Sequence, residues 1–441
     1  LSHVLSHSSH LVSIGSAWTR HQGQLPQYLP MQRGFDEFLG LPFSVDDGSG
    51  FLSACNGSVA DVEAATRAAA LEQPPHLGSG LGPLLPLPLI QQSRRGNISK
   101  IVEQPTDLRL LTSRLLAHAT GFVRAHAASR WFTYFAFGHV HTATSDISPD
   151  RQYAGCAFAG TTARPFLDAL AEVDHAAGSL LDEIYALGIA STTLTIFTSD
   201  NGPSIRWKVG AGSAGIFVGA AAAFANGSHY ANTAKGSSWE GGVRMPAFVH
   251  WPGVVTPAST SYSAVSTLDI LPSLVRLAGL PPPTDRVLDG GLSLADAILG
   301  DGTLPTRHAF LPLYNNPVYG NASRHIFAAR AGRYKAHWIT SPGLTPQSAR
   351  SPSPSLVHAT PIIFDVEADP AEAFPLADAE MPPTLRAQLA KAKAAAEHGL
   401  KPTSISAEWG YEHALCCGVG CSPPCHCHCK DVPLPRPEGK E

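Results

Sequence analysis

Charged side chains are scarce in this chain, and lysine is absent from its first part. Only 15% of the 441 residues are charged, and the first lysine is Lys100, whereas globular proteins average about 25% charged residues. The formal net charge is −4. This balance excludes a polybasic nucleic-acid-binding surface and a strongly acidic disordered tail, so we expect no nucleic-acid partner.

Long apolar runs are also missing. The longest stretch without a charged residue, 209–234, is rich in glycine and alanine and contains Asn226. We interpret it as a loop or insertion, and we expect no membrane span. Residues 1–15 lack the basic start and the apolar run of a signal peptide, and the chain begins with Leu1 instead of Met. We therefore expect the chain to be a fragment or a processed product.

Cysteine is nearly confined to the carboxyl-terminal end. Six of the eight cysteines lie in residues 416–429, which indicates either a disulfide knot or a thiolate metal site. Four Asn-X-Ser sequons are candidate glycosylation sites, at Asn56, Asn97, Asn226 and Asn321. Because such sequons are used in secreted proteins, where disulfides also persist, the two features favour a secretory route with a lysosomal or extracellular location.

A repeating pattern of helices and strands begins near residue 106. Leucines at helical spacing predict a helix over 106–129, and the apolar, aromatic run 131–137 is typical of a strand buried on both faces. An apolar stripe predicts a second helix over 163–187, and the short run 194–198 predicts another strand. These segments predict a βαβ unit with parallel strands, whose ligands gather beyond the carboxyl ends of the strands.

The pattern of predicted secondary structure changes after residue 300. Short strands alternating with turns predict a small antiparallel sheet with a packing helix in 301–410, and a cysteine-rich tail fills 411–441. Residues 1–300 form the main domain, although 1–105 contain many Pro, Gly and Ser breakers and are interpreted as irregular. The expected fold class is α/β: a mixed, mostly parallel sheet flanked by helices, with a smaller carboxyl-terminal antiparallel sheet.

Three groups of polar residues lie near the predicted strand ends. Asp200-Asn201 offers hard oxygen ligands suited to Ca²⁺ or Mg²⁺, but Asp-Asn-Gly is also an ordinary turn. His139 and His141 could bind an anion, transfer protons or ligate a metal, or they could be ordinary histidines near the surface. The glycine-rich segment 235–244 could bring its backbone and Lys235 to an anion, or it could be a surface loop.

Several segments together resemble the sulfatase family, which belongs to the alkaline-phosphatase-like superfamily. The resemblance covers about residues 12–430 and is closest to the arylsulfatases. The Asp-Asn-Gly and Lys-Gly…Glu-Gly-Gly-X-Arg segments are its most specific parts. The segments that carry it are 33–48, 131–141, 195–203, 234–253, 267–280, 289–290, 333–338 and 362–372.

The resemblance implies a metal site and two catalytic residues. Asp200 and Asn201 would ligate the divalent cation, Ca²⁺ in this branch, with Mg²⁺ as the alternative. Lys235 and His141 would contact the sulfate oxygens and the leaving-group oxygen. A cation and basic side chains suit this chemistry, because they neutralise charge that develops on a sulfuryl group.

The resemblance also implies substrate-binding residues. Ser44 would hydrogen-bond the sulfate, and His139 would support the pocket. His21 would be retained from a Gly-Lys-Trp-His-Leu-Gly segment whose lysine is missing here. The expected partner is a sulfate-ester small molecule, glycan or lipid, and oligomerisation is left open.

The chain departs from the family pattern at its nucleophile. The family nucleophile lies in Cys/Ser-X-Pro/Ala-X-Arg and is oxidised to formylglycine. No such motif occurs in the 441 residues: Cys55 lies in ACNGS and Cys156 in GCAFAG. The paired amino-terminal aspartates of the metal site are absent too. The 1–300 domain therefore resembles a sulfatase catalytic domain truncated at its amino terminus.

These departures leave three functional hypotheses. The first is that the complete protein is a sulfuric ester hydrolase, while this chain alone does not turn over substrate. The second is a non-catalytic relative that binds sulfated glycans or lipids. The third is a phosphatase or phosphodiesterase of the same superfamily, which would need a Ser or Thr nucleophile and more His and Asp ligands than we find.

Overall fold

The computed structural model describes most of the predicted elements, and the chain divides into two compact units. The first unit comprises Leu1–Thr193 and Ser406–Glu441, and the second comprises Leu194–Ile405. The residues described are 9–16, 29–42, 45, 88–95, 98–103, 106–141, 157–162, 164–205, 212–217, 233–285, 287–291, 293–300, 308–314, 325–341 and 355–399.

A mixed five-stranded sheet forms the first unit, in the order β4-β3-β2-β1-β5. Strand β1 pairs in parallel with β2 and β5, whereas β2–β3 and β3–β4 are antiparallel pairs. The strands are β1 (Ser9–Ser16), β2 (Glu37–Leu41), β3 (Leu89–Ser93), β4 (Ile98–Glu103) and β5 (Arg130–Ala136).

Four of these strands lie in residues 1–105, which were predicted to be irregular. That prediction was wrong for β1 to β4. Each strand is short and is bounded by turn-forming residues, so its own sequence carries little alternating pattern. Pairing with strands distant in sequence stabilises them, because strand formation depends on tertiary context more than on local propensity.

Helix α1 (Leu111–His126) covers this sheet and confirms the helix predicted there. Its leucines lie on one face, and Leu111, Leu115 and Phe122 are buried in a cluster with Leu39 and Leu89 of the sheet. Burying each such side chain stabilises the fold by about 1.5–3 kcal/mol relative to leaving it in water.

Helix α2 (Pro165–Ala186) confirms the second predicted helix. Val173 and Ile184 of its apolar stripe are buried, but Leu170 of the same stripe is 43% exposed, and Asp168 and Glu172 are buried. The Asp168 carboxylate accepts hydrogen bonds from the backbone N–H groups of Gly160 and Thr162, at 2.9 and 2.8 Å. The polar contacts of the helix, and not only its apolar stripe, therefore determine which face is buried.

Strand β5 coincides with the predicted run 131–137 but is not buried on both faces. Tyr134 is 38% exposed, and Ala136 is the one buried residue of the strand. Among the described strands β5 pairs with β1 alone, so it is an edge strand of the sheet. The continuous apolar run therefore indicates a strand correctly but overestimates its burial.

The described part of the second unit contains two antiparallel sheets. Strand β6 (Thr195–Thr198) pairs with β7 (Ala247–His250). The predicted parallel βαβ sheet would join 131–137 of the first unit to 194–198 of the second unit, and it stays a prediction. The second sheet has the order β11-β10-β9-β8, which confirms the small carboxyl-terminal antiparallel sheet. Its strands are β8 (Leu311–Tyr314), β9 (Ile326–Ala331), β10 (Tyr334–Thr340) and β11 (Leu356–Asp365).

The described α-helices of the second unit are α3 (Glu240–Val243), α4 (Ile270–Leu277), α5 (Ser293–Leu299) and α6 (Leu385–His398). Helix α4 begins after a capping box, in which the Asp269 carboxylate accepts the Ser266 backbone N–H at 2.8 Å, and the chain turns away at Gly279 with φ +69°. In the ranges that the structure describes, no helix is long and apolar enough to cross a membrane.

Candidate functional site

The Asp-Asn-Gly turn follows directly after strand β6. Asp200 is exposed and Asn201 is half-buried. The Asn201 side-chain Nδ2 donates a hydrogen bond to Gly202 O at 3.0 Å. This bond uses the amide nitrogen and leaves Oδ1 as the ligand atom. The turn therefore presents a carboxylate and an amide oxygen side by side at the end of the strand.

The lysine segment, residues 235–244, lies against this turn within the second unit. The Lys235 backbone N–H donates to Pro203 O at 3.1 Å, and the Gly202 N–H donates to Gly242 O at 3.0 Å. Because β6 and β7 are antiparallel, the end of β6 and the start of β7 are neighbours: Thr198 is paired with Ala247. The structure thus brings together Asp200, Asn201 and Lys235, which were predicted from separate motifs.

Glycine is required in both segments by close backbone approach. A Cβ atom on Gly202 would lie 1.9 Å from Gly241 O, and one on Gly242 would lie 2.4 Å from Ser237 O. No Cβ tolerates such distances, so any larger residue must displace the backbone. Gly202 therefore lets the turn pack on Gly241, and Gly242 lets the lysine segment fold tightly on itself. The access of an anion to the backbone of residues 235–244 stays a prediction.

A buried cluster of charged residues anchors the lysine segment to the carboxyl-terminal sheet. Lys335 Nζ donates to Glu240 Oε1 at 2.8 Å and lies 3.2 Å from Glu372 Oε1. His337 Nε2 is 2.7 Å from the same Glu372 oxygen. The Trp239 indole stacks on the His337 ring, with 4.4 Å between ring centroids.

The ionisation of this cluster follows from its burial and its charges. Burial alone would raise the pKa of Glu372, but the Lys335 ammonium and His337 lower that pKa to about 2. Burial lowers the pKa of His337 below its usual value, although the Glu372 carboxylate opposes the shift. The cluster therefore holds an ionised Glu372 and a neutral His337 at neutral pH.

Sequence reasoning missed Lys335, His337 and Glu372 as members of one cluster. The available signal was the spacing of Lys335 and His337, since residues two apart in a strand lie on the same face. The partner carboxylates come from distant segments: Lys335 and Glu240 are 95 residues apart, and the Glu240–Glu372 hydrogen bond spans 132 residues.

The two candidate histidines lie in the first unit, just after β5. His139 is buried, and its Nε2 lies 3.1 Å from Glu172 Oε2 of helix α2. His141 is half-buried, and its backbone N–H donates to Gly138 O at 3.2 Å in a tight turn. The buried carboxyl group of Glu172 is therefore a close neighbour of His139, two residues before His141.

The remaining candidate residues lie outside the described ranges. They are Ser44, His21, the sequon residues Asn56, Asn97, Asn226 and Asn321, and the cysteines of the tail. Their roles stay predictions.

The fit of a divalent cation can be judged from the donor set. Ca²⁺ takes six to eight oxygen ligands, and Asp200 with Asn201 supplies two. Within the described ranges, no group of three or more His, Cys, Asp or Glu residues could hold a metal. These residues therefore form part of a Ca²⁺ shell at most, and the described residues do not complete the shell.

Two family models match the chain and define its class. The model described as Sulfatase matches residues 17–280, and the C-terminal region of aryl-sulfatase matches residues 307–429. The chain belongs to the sulfatase family, whose members are sulfuric ester hydrolases. This confirms the resemblance drawn from the segments around Asp200 and Lys235.

Individual relatives support the same assignment. Arylsulfatase A of Homo sapiens is 32% identical over 97% of this chain and 78% of that protein. Arylsulfatase G of Homo sapiens is 32% identical over 85% of this chain and 66% of that protein. The solved structure of the PsFucS1 sulfatase from Pseudoalteromonas sp. covers 90% of this chain and 72% of its own, with a TM-score of 0.64 at 22% identity. The α/β fold class is thereby confirmed.

Proposed function

We propose that this chain binds sulfate esters, with Lys235 as the sulfate-binding cation of the second unit. The observation that supports this proposal is the pair of backbone hydrogen bonds that join the Asp200-Asn201 turn to residues 235–244. They support it because they join the main chain of Lys235 to the turn that carries the proposed ligands Asp200 and Asn201. An ammonium group forms charge-assisted hydrogen bonds with anionic oxygens, which are about twice as strong as neutral ones.

The metal role of the turn is part of the same proposal. Asp200 and Asn201 would hold a divalent cation, Ca²⁺ or alternatively Mg²⁺, together with ligands outside the described residues. When bound, such a cation would withdraw charge from the sulfate oxygens.

Four residues of the first unit take roles from the family resemblance. His141 would donate a proton to the departing alcohol oxygen, because a protonated alcohol leaves more readily than an alkoxide. His139, held by Glu172, would support that residue. Ser44 would hydrogen-bond the sulfate, and His21 would contact the substrate.

Turnover by these 441 residues is not expected. Hydrolysis in the family uses formylglycine, and the motif that yields it does not occur in the sequence. For the complete protein the proposed function is therefore hydrolysis of sulfate esters, and for these 441 residues alone it is binding of the ester without turnover.

The substrate and the location are proposed from the relatives and the sequence. Names among the relatives include arylsulfatases and steryl-sulfatases, so we propose a sulfate ester of an alcohol, carried on a small molecule, a glycan or a lipid. The four sequons and the cysteine tail support passage through the secretory pathway to a lysosomal or extracellular location.

Calorimetric titration with an aryl sulfate in the presence of Ca²⁺ tests the binding proposal. The Lys235→Ala variant should bind at least about tenfold more weakly than the unaltered chain, which corresponds to about 1.4 kcal/mol. The matched control is Lys393→Ala, because Lys393 bonds Glu397 on helix α6, also in the second unit. Equal affinities for the unaltered chain and Lys235→Ala would refute the assignment of Lys235.

A hydrolysis assay on a chromogenic aryl sulfate tests the second part. We expect no product from the unaltered chain, with or without Ca²⁺. Activity above that of the Lys235→Ala variant would show that another group replaces the missing nucleophile.

A further inference from the structure

Glu240, five residues after Lys235, is held at two points by distant residues. Its backbone N–H donates to Glu372 Oε2 at 2.6 Å, and its side-chain Oε1 accepts from Lys335 Nζ at 2.8 Å. The Lys335 side chain is wholly buried and that of Glu372 is 1% exposed. Both the main chain and the carboxylate of Glu240 are therefore fixed by the carboxyl-terminal sheet and the segment after it.

The charges around Glu240 are balanced by cations from separate elements. Besides Lys335, Arg244 Nη1 lies 3.5 Å and Arg330 Nη1 lies 4.0 Å from Glu240 Oε2. A buried ion cluster gains little stability over well-packed apolar residues of the same volume. Its hydrogen bonds are directional, however, so this cluster determines where the chain lies more than how stable the unit is.

The held residue belongs to the same short segment as Lys235. Gly242, two residues after Glu240, accepts the Gly202 N–H, and Lys235 at the start of the segment donates its backbone N–H to Pro203 O. Glu240 is bound by the side chains of the buried cluster. The two other positions, Lys235 and Gly242, are bound by the backbone of the turn that carries Asp200. The cluster and the turn thus hold one piece of chain from two sides.

We propose that Lys335 and Glu372 are positioning residues for Lys235: they hold Glu240, which fixes the main chain of residues 235–244 and so the place of the Lys235 ammonium group. The inference rests on the proposed function of Lys235 in sulfate binding. It extends that function to residues on strand β10 and in the segment after β11, to which the binding proposal gives no role.

Inorganic sulfate, titrated by calorimetry in the presence of Ca²⁺, tests the proposal in two backgrounds. Lys335→Met keeps the volume and removes the charge, and we expect it to weaken sulfate binding about tenfold. The control Lys393→Met removes a lysine from the 2.6 Å Lys393–Glu397 pair on helix α6 and should leave the affinity unchanged.

The Lys235→Ala background separates positioning from a general structural role. If Lys335 acts through Lys235, Lys335→Met causes no further loss of sulfate affinity once Lys235 is alanine, because two residues of one pathway are not additive. An equal loss in both backgrounds would overturn the proposal, as would an unchanged affinity in the Lys335→Met variant.

A second measurement needs no ligand and decides the proposal even if sulfate binding fails. The acylation rate of the Lys235 amine is measured by mass spectrometry in the native chain, with exposed Lys100 as the internal reference. Lys335→Met should change the Lys235 rate several-fold and Lys393→Met should not. If the acylation rate of Lys235 is unchanged in both variants, the positioning role is refuted. If the unaltered chain does not bind sulfate, the proposed function is refuted instead.

Folding of the variants is monitored by circular dichroism. If Lys335→Met does not fold, Glu372→Gln takes its place with the same expectations, because the amide keeps the size of the side chain and loses its charge. A folded Glu372→Gln variant with unaltered Lys235 acylation would then refute the proposal.

Discussion

Single residues of α2 show how a buried carboxyl group can take a place that the sequence pattern reserves for apolar side chains. Glu172 lies on the buried face of α2 and is 3.1 Å from His139 Nε2, and neither side chain is more than 5% exposed. An ionised group in such a place is tolerated when it has a partner of opposite or polar character. The contact between Glu172 and His139 therefore helps to determine which face of α2 is buried. His139 lies two positions before the candidate His141.

The Glu172→Gln substitution tests this contact. The amide has nearly the same volume but no charge, so we expect the free energy of unfolding to fall by about 1–3 kcal/mol. Urea denaturation measures the change. Asp182→Asn on the exposed face of the same helix is the control and should change stability by no more than about 0.5 kcal/mol. If the free energy of unfolding falls equally little in both variants, the contact between Glu172 and His139 contributes nothing to stability.

Elements of the second unit meet backbone to backbone at the candidate site. The turn after β6 and the segment before β7 approach so closely that Gly202 has no room for a Cβ atom beside Gly241 O. Within the segment, Gly241 is crowded by Thr233 O and Gly242 by Ser237 O. Such packing makes the arrangement rigid, since main-chain atoms have no rotamers with which to relieve a clash.

The Gly202→Ala substitution tests the importance of this approach. Its Cβ would lie 1.9 Å from Gly241 O, so the two segments must separate, and we expect a loss of about 1–3 kcal/mol or more in unfolding free energy. Gly291→Ala is the control, because its nearest neighbour atom is 3.9 Å away. Thermal unfolding of both variants gives the comparison, and a Gly202→Ala chain as stable as the control would contradict the geometry.

Elements differ in how far their own sequence predicts them. Helices α1 and α2 were predicted from periodicity, because each has an apolar stripe at helical spacing. Strands β1 to β4 were missed, since five to eight residues between breakers carry too little pattern. The burial of β5 was overestimated because an apolar run does not reveal how many strands flank it.

At the scale of the whole molecule, the buried cluster makes stability depend on pH. The folded-state pKa of Glu372 is about 2 against 4.5 for a free glutamate, so its contribution is complete above pH 4.5 and is lost as the pH falls toward 2. The pKa of His337 is lowered from 6.5. Below that pH the unfolded chain binds a proton that the folded chain resists, and stability falls there as well.

Denaturation at a series of pH values checks this expectation. The free energy of unfolding should decline on acidification below about pH 6.5 and continue to decline below pH 4.5. Glu372→Gln should flatten the lower part of the curve, and His337→Gln the upper part. Variants whose curves run parallel to that of the unaltered chain would show that other groups cause the pH dependence.

The candidate site could be predicted from the sequence only where its residues form local motifs. Asp200-Asn201 and Lys235 stand in short, specific segments, and the structure brings them together as neighbours in the second unit. The cluster of Lys335, His337 and Glu372 could not be found in this way, because its contacts join segments separated by up to 132 residues. Ion pairing between distant segments leaves no periodic trace in a sequence.

One backbone hydrogen bond has a consequence for how this protein tolerates changes in length. Because Lys235 N–H is bonded to Pro203 O, the two ends of the sequence span 204–234 lie next to each other. Doubling the length of a flexible segment whose ends are held together adds only about 0.6 kcal/mol of closure entropy. An insertion in this span is therefore expected to cost little closure entropy, since its two ends stay joined by the same hydrogen bond.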